Sequence, residues 1–266
     1  MVRLPRTARA AIEGALRQKI TTIRRVMTDT HGYTAWAMSL AKLLGFDLCP
    51  RLKSFRDRRL HVPHGFPFPD ELRPVCLADI SLSTIEAGWT ELCAVADAVA
   101  GVRLSAVLAC ERFGSASRGE KAYKAGYALG LLLRTLHLCD TLSIDDFRRE
   151  TLRLHNHGEH VHVLQRQIRH AGFGSRRGRR QEELVPQSGS LTRLTNVVMA
   201  WNTTTIQDSL DQWRATVRRR TPSEALRHVS PAGFEHINFD GVNLFLVKQF
   251  RSRLLPSSAA TIVRAA

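Results

Sequence analysis

Acidic residues are scarce in this 266-residue chain, with 24 Asp and Glu against 39 Lys and Arg and a formal charge of +15. Long apolar runs are missing as well. No stretch approaches the ~18 residues that a membrane-spanning helix needs, and the N-terminus lacks a secretory pattern. Paired cysteines are also wanting: the five (Cys49, Cys76, Cys93, Cys110, Cys139) are scattered, odd in number and free of any CxxC. That spacing argues against a zinc ribbon and a disulfide framework, and for a reducing compartment. The expectation is a cytoplasmic, nucleoid-associated protein with no membrane partner. An excess of base on this scale points to a polyanion, with nucleic acid ahead of a membrane surface.

What is present begins with a core, since 44% of residues are hydrophobic. The length allows one large domain or two ordinary ones. The organising stretch is Ile20 to Tyr33, ITTIRRVMTDTHGY, a β-branched run that ends in Asp29 and is followed by Gly32. An acid at the end of a buried strand faces the cleft where α/β sheets collect ligands.

Residues 1–19 read as a basic amphipathic helix with Ile12, Ala15 and Leu16 as its stripe. After a strand over 20–28, Trp36, Leu40, Leu43 and Leu44 fall at helical spacing, and Gly45 stops the run. A short strand follows at 46–52, with Pro50 marking an edge or a strand end. Arg51 to Arg59, RLKSFRDRR, reads equally as a solvated loop or as a phosphate-contacting arm. The Pro-rich stretch 61–81 reads as loop.

From there to about residue 146 the pattern is helical. Ser83 and Glu86 form a capping-box signature for a helix over 84–99, with Ile85, Trp89, Leu92 and Val99 inward. Tyr123, Tyr127, Leu131 and Leu138 fill a longer helix. Arg134 sits within its apolar face, where a buried guanidinium needs a carboxylate or phosphate partner; a structural ion pair is the favoured reading. A further helix starts near Ser143 and carries Glu159 beside Gly158, amid His155, His157, His160 and His162. Neither HExxH nor HxxEH fits that register, so a solvated His-rich face outweighs a zinc site. Ser175 to Arg180, SRRGRR, reads as a flexible basic loop. One or two helices then carry Trp201-Asn202-Thr203, and Asp240-Gly241 marks a hairpin.

Four blocks accumulate in this order: MTDTHGYT (27–34) with LLGFDLCPRL (43–52), RTLHLCDTLSIDDFRRETLRLHNHGE (134–159), WNT (201–203) and HVSPAGFEHINFDG (228–241). Together they resemble the C-terminal catalytic region of the Tn-three family of replicative DNA transposases, over about residues 8–245. The resemblance implies a mainly α protein with a small α/β part, an incomplete RNase-H-like fold carrying an all-helical insertion. Its segments would be 1–60, a partial strand–helix–strand unit; 61–142, the insertion; 143–213, C-terminal helices of the RNase-H-like part; and 214–266, a tail with a hairpin.

The same resemblance implies an Asp-Asp-Glu triad holding two divalent ions, Mg²⁺ or Mn²⁺. Its second Asp matches Asp29 and its Glu matches Glu159, the candidate catalytic and metal-binding residues. The first Asp has no match, because Glu13 is the sole acid before Asp29. LHNHGE also stands where the family has LNKGE. The chain is therefore expected to be a C-terminal piece of such a transposase, inactive alone. The partners implied are DNA, as transposon ends and target, with a homodimer left open for a full-length context. Arg51, Lys53, Arg56, Arg58, Arg59, Arg176, Arg177, Arg179 and Arg180 are the expected DNA contacts, and Asn202, His236 and Asn238 the supporting motif. The rival readings are a non-catalytic DNA-binding relict or regulatory fragment, and a zinc hydrolase built on the histidines.

Overall fold

The computed structural model describes residues 7–18, 23–113, 120–170, 181–217, 226 and 229–237. The described residues are mostly helical, with two small parallel sheets among them. It divides into two compact units, residues 3–156 and residues 157–266.

The first unit opens with α1 (Thr7–Leu16), which buries Ile12 and leaves Leu16 half in water. Strand β1 (Arg25–Thr28) pairs in parallel with β2 (Asp47–Pro50), Thr28 facing Pro50. The N–H groups of Asp47 and Arg51 donate to the carbonyls of Arg24 and Thr28. Pro50 falls between them in the alternation, so its missing N–H costs this pair no ladder bond.

The crossover between the strands is α2 (Ala35–Leu43), whose residues from Ala35 to Ala41 are all buried. Gly45 takes a φ of +90°, while Phe46 N–H returns to Ala41 O at 3.1 Å. This left-handed glycine cap stops the helix at the place the sequence marks.

Helix α6 (Lys121–Ser143) is the post on which the first unit is packed, meeting α2, α3, α4 and β3. Its glycines make the close approach to α2 possible. A Cβ on Gly126 would strike the Trp36 indole, and one on Gly130 would strike the Ala35 backbone. Ser39 Oγ fills the gap between them by donating to Gly126 O at 2.5 Å. Around this seam lies the main core, with Trp36 stacked on Phe113 at 5.4 Å and Leu40 and Leu92 fully enclosed.

Two features depart from the sequence expectation. The stretch 61–81 holds more than loop. Strand β3 (Leu60–Pro63) pairs in parallel with β4 (Cys76–Ile80), across a connection that includes a 3-10 segment over Asp70–Val75. Its prolines sit at the strand end and in that connection, where no ladder N–H is needed. The helix expected over 84–99 is also broken, into α3 (Leu82–Ala87) and α4 (Trp89–Ala100). Gly88 lies at the break because a Cβ there would collide with Lys121 O on α6. The break shifts the helical phase. Ile85, Leu92 and Val99 stay buried, but Trp89 is 44% exposed. Tyr127, expected to fill α6, is likewise 43% exposed. Helix α5 (Ala106–Glu111) is capped by Ser105 Oγ.

The boundary between the units falls inside α7 (Asp145–His170). The second unit has its own small core, in which Leu164 and Ile168 of α7 meet Leu191, Val198 and Met199 of α8 (Gln181–Val217) together with Ala232 and Phe234. The helical pattern over 191–213 is thus one long helix. The expected hairpin at Asp240-Gly241 lies outside the described residues.

Candidate metal and nucleic-acid site

Asp29 stands exposed at the C-terminal end of β1. Its carboxylate caps the 3-10 turn Thr30–Gly32, accepting His31 N–H at 3.0 Å, and Gly32 N–H closes on Asp29 O. Gly32 is required for that turn, since a Cβ would drive into the Thr28 hydroxyl. The acid is therefore held by the local backbone and still faces water.

Two imidazoles brace the strand ends beneath it. His137 of α6 meets Pro50 O at 3.0 Å, and His155 of α7 meets Thr28 O at 2.9 Å. Thr28 and Pro50 are partners in the ladder, so the pair is clamped at one level from two helices. The second ring nitrogen of His155 faces Thr151 O at 2.8 Å. Both of its nitrogens thus lie within hydrogen-bond distance of carbonyl oxygens, and the tautomer decides which one donates. Burial lowers the pKa of His137, an effect partly opposed by its bond to Pro50 O.

His155 is buried, at 9% exposure, which corrects its place on a solvated face. His160 and His162 are exposed, and the His157 and His160 rings stack at 6.5 Å. No trio of His, Cys, Asp or Glu side chains is placed to hold a metal among the described residues. Glu159 is exposed and follows His155 by four residues on the same unbroken helix. The neighbouring Gly158 would accept a Cβ without contact, so it is not there for packing against the described chain. Burial pushes the Cys49 thiol up to about 11 and that of Cys110 up to about 12, which removes both as nucleophiles.

Arg51, Lys53, Arg56 and Arg59 are exposed around the 3-10 turn Phe55–Asp57. Arg59 folds back on the carbonyls of Arg56 and Arg58, and Arg58 donates to Lys53 O. Arg58 is half-buried with its guanidinium 4.4 Å from the centre of the Tyr33 ring. Arg134 lies over the same ring at 4.1 Å. Among the described residues it has no carboxylate partner, so the ion pair favoured from sequence is replaced by a stack on an aromatic face. Arg176, Arg177, Arg179 and Arg180 lie outside the described residues.

In the second unit Asn202 is 4% exposed and fully engaged. Its amide donates to Pro231 O and Gly233 O, both at 2.7 Å, and its oxygen meets His236 Nε2 at 2.9 Å. The WNT and SPAGFEH blocks are therefore one joint, in which a buried amide staples the 230–236 turn to α8. Asn238 lies outside the described residues. Sequence reasoning missed the two clamping histidines and the Arg134–Tyr33 contact, because each joins a side chain to a group about a hundred residues away and none has a local pattern.

Similarity to known proteins covers nearly the whole chain. The profile of the Tn3 transposase DDE domain matches residues 4–242. The transposase for insertion sequence element IS1071 in transposon Tn5271 of Comamonas testosteroni is 42% identical over 252 residues, 95% of this chain and 26% of that protein. The transposase for transposon Tn21 of Escherichia coli is 29% identical over 214 residues, 80% and 22% respectively. The transposase for transposon gamma-delta of Escherichia coli K12 is 29% identical over 257 residues, 92% and 25%. The chain spans about a quarter of the length of these curated relatives. No solved structure matches it.

Proposed function

The chain belongs to the Tn3 transposase DDE domain family, and from that premise we propose that it is the part of a DNA transposase that carries two of the metal-binding carboxylates, Asp29 and Glu159. The fold this reading implies is RNase-H-like, with β1 and β2 as part of its sheet. Both acids are exposed, and both offer the hard oxygen donors that Mg²⁺ and Mn²⁺ take. A divalent ion held by Asp29 and Glu159 would supply Lewis-acid activation of a phosphodiester for cutting at transposon ends and for strand transfer to target DNA.

The observation that carries the reading is the His155 clamp. It fastens α7 to Thr28, the residue before Asp29, and so braces the strand end that presents this carboxylate. The basic surface supports the DNA part. Arg51, Lys53, Arg56 and Arg59 are exposed, and none forms an ion pair among the described residues. They can contact phosphates, and Arg176, Arg177, Arg179 and Arg180 are assigned the same role from the sequence alone.

Electron paramagnetic resonance of added Mn²⁺ tests the metal part. The wild-type chain should bind the ion, and D29N and E159Q should each weaken binding about tenfold or more, as loss of one charged ligand does. Equal Mn²⁺ uptake by all three leaves the second reading, a DNA-binding segment without a metal site.

A further inference from the structure

We propose that Arg58 and Arg134, stacked over Tyr33, form a seat for one phosphodiester group of a bound DNA strand. The inference rests on the DNA reading above and adds to it a specific phosphate contact and a residue, Arg134, from the middle of α6.

The seat is made of parts that the fold leaves unsatisfied. Tyr33 is 8% exposed and is fixed by its hydroxyl, which donates to Arg134 O at 3.4 Å. Two guanidiniums lie over this one ring, at 4.1 Å for Arg134 and 4.4 Å for Arg58. The ring's negative face attracts each cation, but a neutral ring cannot cancel two charges brought together. Among the described residues no carboxylate does so either. Arg134 Nε is buried without a hydrogen-bond partner. Beside it, His61 is 8% exposed and its Nδ1 is likewise buried and unpartnered. The His61 backbone N–H is meanwhile fixed to Thr135 Oγ1 at 2.8 Å, next to Arg134. Burial and the Arg134 charge both lower the His61 pKa, so the ring is a neutral donor or acceptor in a cationic setting.

Each guanidinium is held against the ring, and a planar fork fixed in this way is suited to bind phosphate oxygens. Two half-buried cations without a counter-charge are unfavourable, and an anion removes part of that cost. Position selects a DNA phosphate over a free one. Tyr33 stands across a single 3-10 turn from Asp29, and the seat continues into the exposed cations Arg51, Lys53, Arg56 and Arg59. A strand lying along that basic edge would present one phosphate to Arg58 and Arg134 next to the Asp29 carboxylate.

The test is fluorescence anisotropy with a labelled duplex across a salt series. R134Q and R58Q should each lower affinity roughly tenfold and reduce the slope of log K against log salt by about one, the change expected for one phosphate contact. R134K should recover part of the affinity, as charge without the planar fork. Replacing single linkages by neutral methylphosphonate should reveal one position that weakens the wild type and leaves R134Q unaffected. If R134Q and R58Q bind with wild-type affinity and slope, the seat is wrong while the DNA reading stands. A wild-type chain that does not bind the duplex removes both. Should R134Q melt far below the wild type, R58Q decides, because that side chain is half-exposed on a loop and empties no core.

Discussion

His155 Nε2 lies 2.9 Å from the carbonyl oxygen of Thr28, so helix α7 is fastened to the strand residue that immediately precedes Asp29. The same carbonyl also takes the N–H of Arg51 at 2.8 Å. One peptide oxygen thus gathers a strand neighbour and a distant helix at the end of β1. Removing the ring takes away one of the two donors to Thr28 O and empties a buried site. H155A should lower stability by about 1–3 kcal/mol, read as a shift in the urea midpoint, and H155Q should recover part of it.

Acid should loosen the first unit. His137 and His61 both have pKa values lowered, chiefly by burial. A base whose folded pKa lies below its unfolded value binds fewer protons when native, so folding is favoured at higher pH. The stabilisation is complete above the unfolded value of about 6.5 and is lost as pH falls below it. Thermal melts between about pH 5 and 8 should show the midpoint falling on the acid side, and H137N should flatten part of that slope.

The seam between α2 and α6 should tolerate no added carbon. G130A places a Cβ against the Ala35 backbone, which cannot rotate away as a side chain would. The cost should be about 1–3 kcal/mol or more, despite alanine's better helix propensity. G158A, where nothing lies within reach, should instead leave stability equal or raise it by several tenths of a kcal/mol. Chemical denaturation of the pair separates the two cases.

Asn202 should act as a staple. N202A strands the carbonyls of Pro231 and Gly233 and removes the partner of His236. Amide hydrogen exchange over 229–237 should accelerate by at least tenfold, with little change in the core of the first unit.

These cases show where the sequence was readable. Gly45 ends α2 because a left-handed cap is a local requirement, and Asp29 sits at a strand end that its own neighbours announce. Pro50 marks a strand end for an equally local reason. The β3–β4 pair was hidden because four-residue strands flanked by prolines carry too little alternation to be recognised. Trp89 looked like core because a helical period was carried across Gly88, a glycine demanded by Lys121 on another helix. His155 is harder still. In a run of histidines nothing local tells the one that turns inward from those that face water, since the partner that decides it is Thr28, far away in the chain. The candidate acids were assigned through resemblance, whereas the histidines that brace the end of β1 carried no such signal.

The most direct measurement is iron-directed cleavage of the polypeptide itself. Fe²⁺ substituted for Mg²⁺, with ascorbate and peroxide, generates radicals that cut the backbone near the bound ion. The account predicts cuts close to both residue 29 and residue 159, suppressed together by excess Mg²⁺ and lost together in either D29N or E159Q. Cutting at one position alone, or at sites indifferent to both substitutions, would contradict a shared ion.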